Sequence, residues 1–156
     1  YERIKNDNKL IGKARSINSN LNFFKQNFNF PIKDAIITGV YGSQRILNGI
    51  PKSPHYGLDF AAKEGTRIKA MLSGVVTLSE KNLYYTGGTI IFDHGHGVST
   101  LYMHMKDIHV KVGQKVLQND VIGTVGKTGR STGPHLDVRL NLFDVKLDPL
   151  PVLSLK

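Results

Sequence analysis

The chain has 156 residues, enough for one domain with a real core, and 40% of them are hydrophobic, but no apolar run is long enough to cross a bilayer. It has no cysteine, which excludes disulfides and thiolate ligands, so any transition metal must be held by His, Asp or Glu. Twenty-one Lys and Arg against twelve Asp and Glu give a net charge of +9, which favours an anionic partner: nucleic acid, anionic lipid or an acidic envelope polymer.

In chain order, residues 1–30 form an N-terminal helical or irregular extension rich in Asn and Lys. Glu2 to Ile17 has the spacing of a short amphipathic helix, with Ile4, Leu10, Ile11 and Ala14 near one stripe. The chain starts at Tyr1 without a signal-peptide pattern, as expected of a fragment or processed product. Phe23, Phe24, Phe28 and Phe30 are expected to pin the extension onto the main body. From Pro31 to Lys156 the texture changes. Short Val, Ile, Leu and Thr runs alternate with glycine-containing turns: "AIITGVYG", "TRIKAMLSGVVTL", "GGTIIFDHGHG", "VSTLYMHM", "VKVGQKV", "VIGTVG" and "HLDVRLNLF". Strands at this spacing predict an all-β sandwich or barrel rather than βαβ units. No internal repeat is present.

Three stretches carry chemistry. In "SPHYGLDF", His55 and Asp59 stand four apart, but Pro54 and Gly57 disfavour the helix that would bring them together. Fully extended, their Cα atoms would sit roughly 13 Å apart. Two donors on one metal must each lie about 2 Å from it. The pair therefore converges only if the chain bends at Tyr56-Gly57. In "GPHLDVRLNLF", alternation sends Leu136, Val138 and Leu140 to the core, and His135, Asp137, Arg139 and Asn141 to the opposite face. That face is either a polar edge or one wall of a site, and the loop "GKTGRSTGP" leads rigidly into it. In "STLYMHMKD", Leu101 and Met103 alternate with Tyr102 and His104, and His104 reaches the same wall if the strands are neighbours. "DHGHG" reads as a hairpin tip carrying Asp93, His94 and His96, and His109 as a surface residue.

"HYGLD", "YMHM" and "TGRSTGPHLD" resemble the HxxxD, LYxH and GPHxH motifs of lysostaphin-like (LytM-type) zinc metallopeptidases. "GVYGSQR", "AAKEGTRIKAMLSGVV", "GGTIIFDHGHGVSTLY" and "VKVGQKVLQNDVIGTVGKTG" resemble the family in order and spacing, so the likeness covers roughly residues 32–150. The resemblance implies a mostly β domain, an antiparallel β-sheet or barrel-sandwich of the duplicated-hybrid-motif kind with an open groove. It implies cleavage of peptide bonds in bacterial peptidoglycan, between crosslinked stem peptides or in interpeptide bridges, by a periplasmic, envelope or extracellular enzyme. Peptidoglycan is the implied partner, with other cell-envelope proteins beside it. By the same resemblance, His55 and Asp59 match zinc ligands, and His104 and His135 match catalytic histidines. Asp137 stands where the family has its third ligand, a histidine.

That departure has a charge consequence. A His, Asp, His set around a divalent ion carries +1, whereas His, Asp, Asp is neutral. A neutral site polarises its water less, raises that water's pKa and tolerates harder metals such as manganese. On this count the protein has a more alkaline pH optimum than an Asp137→His variant. Arg139 is placed to pair with Asp137, to bind a substrate carboxylate or to lie on the surface, and Tyr41, Tyr56, Tyr84 and Tyr85 are candidates for oxyanion support. The runner-up is a degenerate member that binds and activates cell-wall amidases. A carrier reading rests on likeness to lipoyl and biotinyl hairpins around Lys106, and lacks any use for the His and Asp set. Nucleic-acid binding rests on charge alone, with no recognition helix or aromatic-basic surface to support it.

Overall fold

The computed structural model describes residues 2–34, 36–43, 45–47, 49–52 and 54–154, so that Tyr1, Gln44 of "GVYGSQR" and Ser53 ahead of His55 lie outside the described residues. The glycine-punctuated runs become antiparallel strands: β1 (Ile36–Gly39), β2 (Arg45–Leu47), β3 (Ile50–Lys52), β4 (Leu58–Ala61), β5 (Arg67–Lys69), β6 (Gly74–Leu83), β7 (Gly87–Gly95), β8 (Val98–Ile108), β9 (Lys115–Val116), β10 (Val121–Val125), β11 (His135–Leu142) and β12 (Val145–Leu147). Ten of them form one open sheet in the order β1-β4-β11-β8-β7-β6-β9, with β10 bridging β5 and β8 and β12 on β11; β2 and β3 make a separate hairpin. Helices α1 (Glu2–Arg15) and α2 (Leu150–Ser154) flank the chain. The expected mostly antiparallel β architecture is the one observed.

The central strands are covered on both faces, and all nine residues of β7 are buried. Alternate side chains divide between two cores. Leu58, Phe60, Ile90, Phe92, Tyr102, Leu136 and Val138 enter the larger one. Leu78, Leu83, Ile91, Leu101 and Met103 form the second, closed by Ala14, with Ile11 packed against it. Burying such a side chain contributes about 1.5–3 kcal/mol, so α1 is held by the apolar sheet face it covers. The covering stripe runs through Ile11 and Ala14. Leu10, placed on that stripe by the sequence, is 41% exposed. Asp7 occupies the docking side instead, its Oδ2 accepting from the Tyr84 backbone N–H at 2.8 Å.

The N-terminal phenylalanines meet the body edge-on. Phe24 contacts His96 at 5.4 Å between ring centroids, and Phe30 contacts Phe60 at 6.2 Å. Phe28 packs against the larger core. Tyr102 is fully buried, and its hydroxyl accepts from the Met71 N–H at 2.8 Å.

The "DHGHG" stretch is not a tip as a whole. Asp93, His94 and Gly95 belong to β7, and the reversal is made by His96 and Gly97 alone, both left-handed at φ 50° and 86°. His94 is fully buried. Its Nδ1–H donates to the Ser73 carbonyl at 2.7 Å, and its Nε2 accepts from Thr100 Oγ1 at 2.7 Å. That pairing fixes a neutral imidazole. Burial pushes its pKa down to about 4, against smaller upward pulls from Ser73 and Asp93. Between pH 4 and 6.5 the unfolded chain therefore binds a proton that the fold refuses. His94 contributes stability that is complete above pH 6.5 and is lost as pH falls towards 4. The loss amounts to about 3 kcal/mol. Denaturant unfolding across this window is expected to show a slope of that size that His94→Gln lacks; equal slopes in the two proteins would contradict the assignment.

Candidate functional site

His55, Asp59 and Asp137 converge through backbone pairing rather than through a helix. His55 sits ahead of β4, tied to the segment after β1: its N–H donates to the Ser43 carbonyl at 2.9 Å, and its own carbonyl accepts from the Gly42 N–H at 2.7 Å. Asp59 lies in β4, opposite Gly39 of β1 on one side and Asp137 of β11 on the other. The bend before β4 carries the His55 ring back over the strand, so that Nε2 lies 3.2 Å from Asp59 Oδ1. His55 and Asp137 are buried at 3% and 2% exposure. One ligand atom from each of the three residues falls within 4.8 Å of the other two.

Two glycines make room for the carboxylates. A Cβ on Gly39 would stand 2.6 Å from Asp59 Oδ2. A Cβ on Gly57 would stand 2.2 Å from Asp137 Oδ1 and 3.1 Å from Arg139 Nε. The sequence assigns Gly57 to the bend; its sharper duty is to leave the space that Asp137 and Arg139 fill.

Asp59 Oδ1 is buried with the His55 Nε2 atom 3.2 Å away, a contact that lacks hydrogen-bond geometry. A carboxylate oxygen buried against an imidazole nitrogen in this way is further stabilised by a cation that both atoms can face. One imidazole and two carboxylates form a donor set suited to zinc. Donors about 2.1 Å from one ion lie no more than about 4.2 Å apart, so a small inward movement of this group completes the fit.

His104 and His135 stand beside the carboxylates with ring centroids 4.9 Å apart. Each is held by Nδ1. That of His104 donates to the Thr128 carbonyl at 2.7 Å. That of His135 donates to the Gly133 carbonyl at 2.9 Å, with Ser131 Oγ at 3.1 Å. Among the described residues, these hydrogen bonds engage Nδ1 and not Nε2. Burial lowers the His104 pKa; the Thr128 carbonyl opposes that shift, His135 adds to it, and Asp137 and Asp59 pull weakly upward. The "GKTGRSTGP" loop thus supplies both anchoring carbonyls, which the sequence signals only as rigidity.

Strict alternation would send His104 the way of Tyr102, into the larger core. A backbone irregularity prevents this. His104 has φ 62°, and the β7–β8 register shifts between Gly88↔Met105 and Ile90↔Tyr102. A left-handed non-glycine residue costs roughly 1–3 kcal/mol. Here it turns the imidazole out of the core and towards His135.

Arg139 binds Asp137 through two contacts, Nε to Oδ1 at 3.3 Å and Nη2 to Oδ2 at 3.2 Å. Arg15, at the end of α1, lies close enough to feel that charge: burial pushes its pKa down to about 10, and Arg139 adds to the effect. Of the four tyrosines, Tyr41 and Tyr56 face each other at 5.8 Å beside the His55 segment. Tyr84 and Tyr85 pair at 4.9 Å, where Tyr85 takes the Arg130 N–H on its carbonyl.

Gly57→Ala is expected to displace the Asp137 carboxylate and to weaken zinc binding by about 10–100-fold, read by competition against a chromophoric chelator. Unchanged affinity would show that the carboxylate does not need this space.

Against known proteins, the model of peptidase family M23 matches residues 53–149. The peptidoglycan DD-endopeptidase ShyA of Vibrio cholerae is 43% identical over 88 residues, which is 56% of this chain and 20% of ShyA. Among solved structures, a Pseudomonas aeruginosa protein assigned to peptidase M23 superposes with a TM-score of 0.85 at 33% identity, covering 98% of this chain and 61% of that one. The catalytic domain of lysostaphin from Staphylococcus simulans gives 0.70 at 32% identity, covering 78% of this chain and 94% of that domain. The chain spans between 20% and 26% of the length of curated relatives such as these.

Proposed function

The chain belongs to peptidase family M23, and on that premise we propose that it is a zinc-dependent endopeptidase that hydrolyses peptide bonds in bacterial peptidoglycan crosslinks. The observation that carries this reading is the convergence of His55, Asp59 and Asp137 within 4.8 Å, beside two histidines whose hydrogen bonds among the described residues are made through Nδ1, not Nε2. A zinc ion held by those three residues supplies Lewis acidity towards the scissile carbonyl. The protein supplies the proton handling. His104 Nε2 and His135 Nε2 take the proton of the attacking water and return one to the leaving amine, and as donors they steady the developing oxyanion. Burial lowers the His104 pKa and so favours the neutral form that an acceptor requires. The Thr128 and Gly133 carbonyls fix both tautomers, so neither ring need reorient during the reaction.

The partner is the anionic cell envelope, consistent with relatives named for peptidoglycan cleavage and with the net charge of +9. A diaminopimelate-type crosslink in the periplasm or envelope is the substrate this reading favours. The domain division proposed is an extension over residues 1–30 on a peptidase domain over 31–156. One observation favours the degenerate alternative: an aspartate replaces a histidine in the ligand set and is already engaged by Arg139.

Digestion of purified sacculi separates the two readings. Soluble muropeptides are expected, lost on chelation and restored by zinc, with the fragment masses naming the bond. His104→Ala and His135→Ala are each expected to lower the rate by about 10²–10⁴-fold while zinc still binds. Zinc binding with no muropeptide release would favour the regulator. Sacculus association is expected to weaken as salt rises, measured by co-sedimentation; salt-independent pelleting would remove the role given to charge.

A further inference from the structure

We infer that Arg139 is a positioning residue that makes an aspartate workable where the ligand set would otherwise end in a neutral imidazole, so that Asp137 and Arg139 act as one unit. The inference rests on the zinc reading above.

It starts from the two contacts Arg139 makes with Asp137, Nε to Oδ1 and Nη2 to Oδ2, at 3.3 and 3.2 Å. A guanidinium is planar and always charged, and its fork matches a carboxylate in one orientation. Asp137 has little freedom to begin with. It is 2% exposed and its backbone is paired on both sides, with Asp59 of β4 and Met103 of β8. The residues two apart on β11 share a face, so the arginine reaches the carboxylate without leaving its strand. Gly57 packs against the pair, and a Cβ there would meet both partners. Clamped this way, the carboxylate cannot rotate off the site, and each oxygen keeps a lone pair for a further partner.

The charge count changes too. His55, Asp59 and Asp137 around a divalent ion sum to zero. Arg139 returns one positive charge at the carboxylate, the total that a His, Asp, His set has alone, while Arg15 of α1 stands as a further cation near Arg139 whichever residue occupies position 137. The alkaline shift expected from the ligand set by itself therefore does not follow once Arg139 is counted. A histidine at position 137 would instead leave the arginine without its carboxylate, a cation facing a cation.

Four proteins test this by zinc affinity, measured on purified metal-free chain by chelator competition: wild type, Arg139→Gln, Asp137→His and the double variant. Arg139→Gln is expected to weaken zinc binding by about 10–100-fold in the native background, and to strengthen it in the Asp137→His background. That reversal of sign is something a merely structural role would not produce. Arg139→Lys keeps the charge but not the fork, and is expected to recover only part of the loss. Thermal unfolding of each variant identifies any that fail to fold, in which case the lysine variant carries the comparison. Wild type that binds zinc equally with and without Arg139, or an Arg139→Gln effect of the same sign in both backgrounds, overturns the unit while leaving the peptidase reading intact. Wild type that binds no zinc overturns both.

Discussion

The site depends on one strand register. Asp59 and Asp137 belong to segments nearly eighty residues apart, and they meet because β4 and β11 pair with these two positions opposite each other. A slip of one residue would send Asp137 to the other face, into space occupied by Leu136 and Val138, and would carry those side chains out of the larger core. The apolar core therefore enforces the position of the polar site: the register that buries Leu58, Phe60, Leu136 and Val138 is the register that opposes the two carboxylates. Opposing like charges is unfavourable in an isolated sheet. Here Arg139 on one carboxylate and the His55 imidazole beside the other offset part of that cost.

The same residue type serves opposite ends in this fold. His94 is locked in the core with both nitrogens satisfied, and its neutrality is a matter of stability. His104 and His135 have one nitrogen committed and the other kept back. The difference lies in the backbone. His94 follows the alternation of β7, whereas His104 breaks that of β8 by adopting a left-handed conformation. Local strain at His104 is the condition for taking an imidazole out of the core and setting it beside the carboxylates. The loop before β11 completes the arrangement by offering carbonyls to both rings.

Much of this was legible in the sequence because strand alternation is a strong signal. The polar face of "HLDVRLNLF" was readable from period two alone, and "HYGLD" and "GPHLD" carried the family likeness. The features that escaped are those in which local geometry overrides period. His94 looked like part of a glycine-flanked tip because Gly95 and Gly97 surround its neighbour His96, yet strand pairing extends through Gly95. His104 reached the expected wall, but through a bulge that alternation cannot foresee. Leu10 fitted a helical stripe, yet Asp7 and Arg15 on α1 found partners and burial that hydrophobicity does not predict. Gly57 read as a flexible bend, while its missing side chain is what the packed structure uses.

The most direct test of the central claim is anomalous diffraction at the zinc edge from crystals grown with the metal. The account predicts a single strong peak bonded to His55, Asp59 and one oxygen of Asp137 at about 2.0–2.2 Å, with Arg139 still on the same carboxylate. A fully occupied zinc that leaves Asp137 turned to Arg139 alone, with another group in its place, would contradict it.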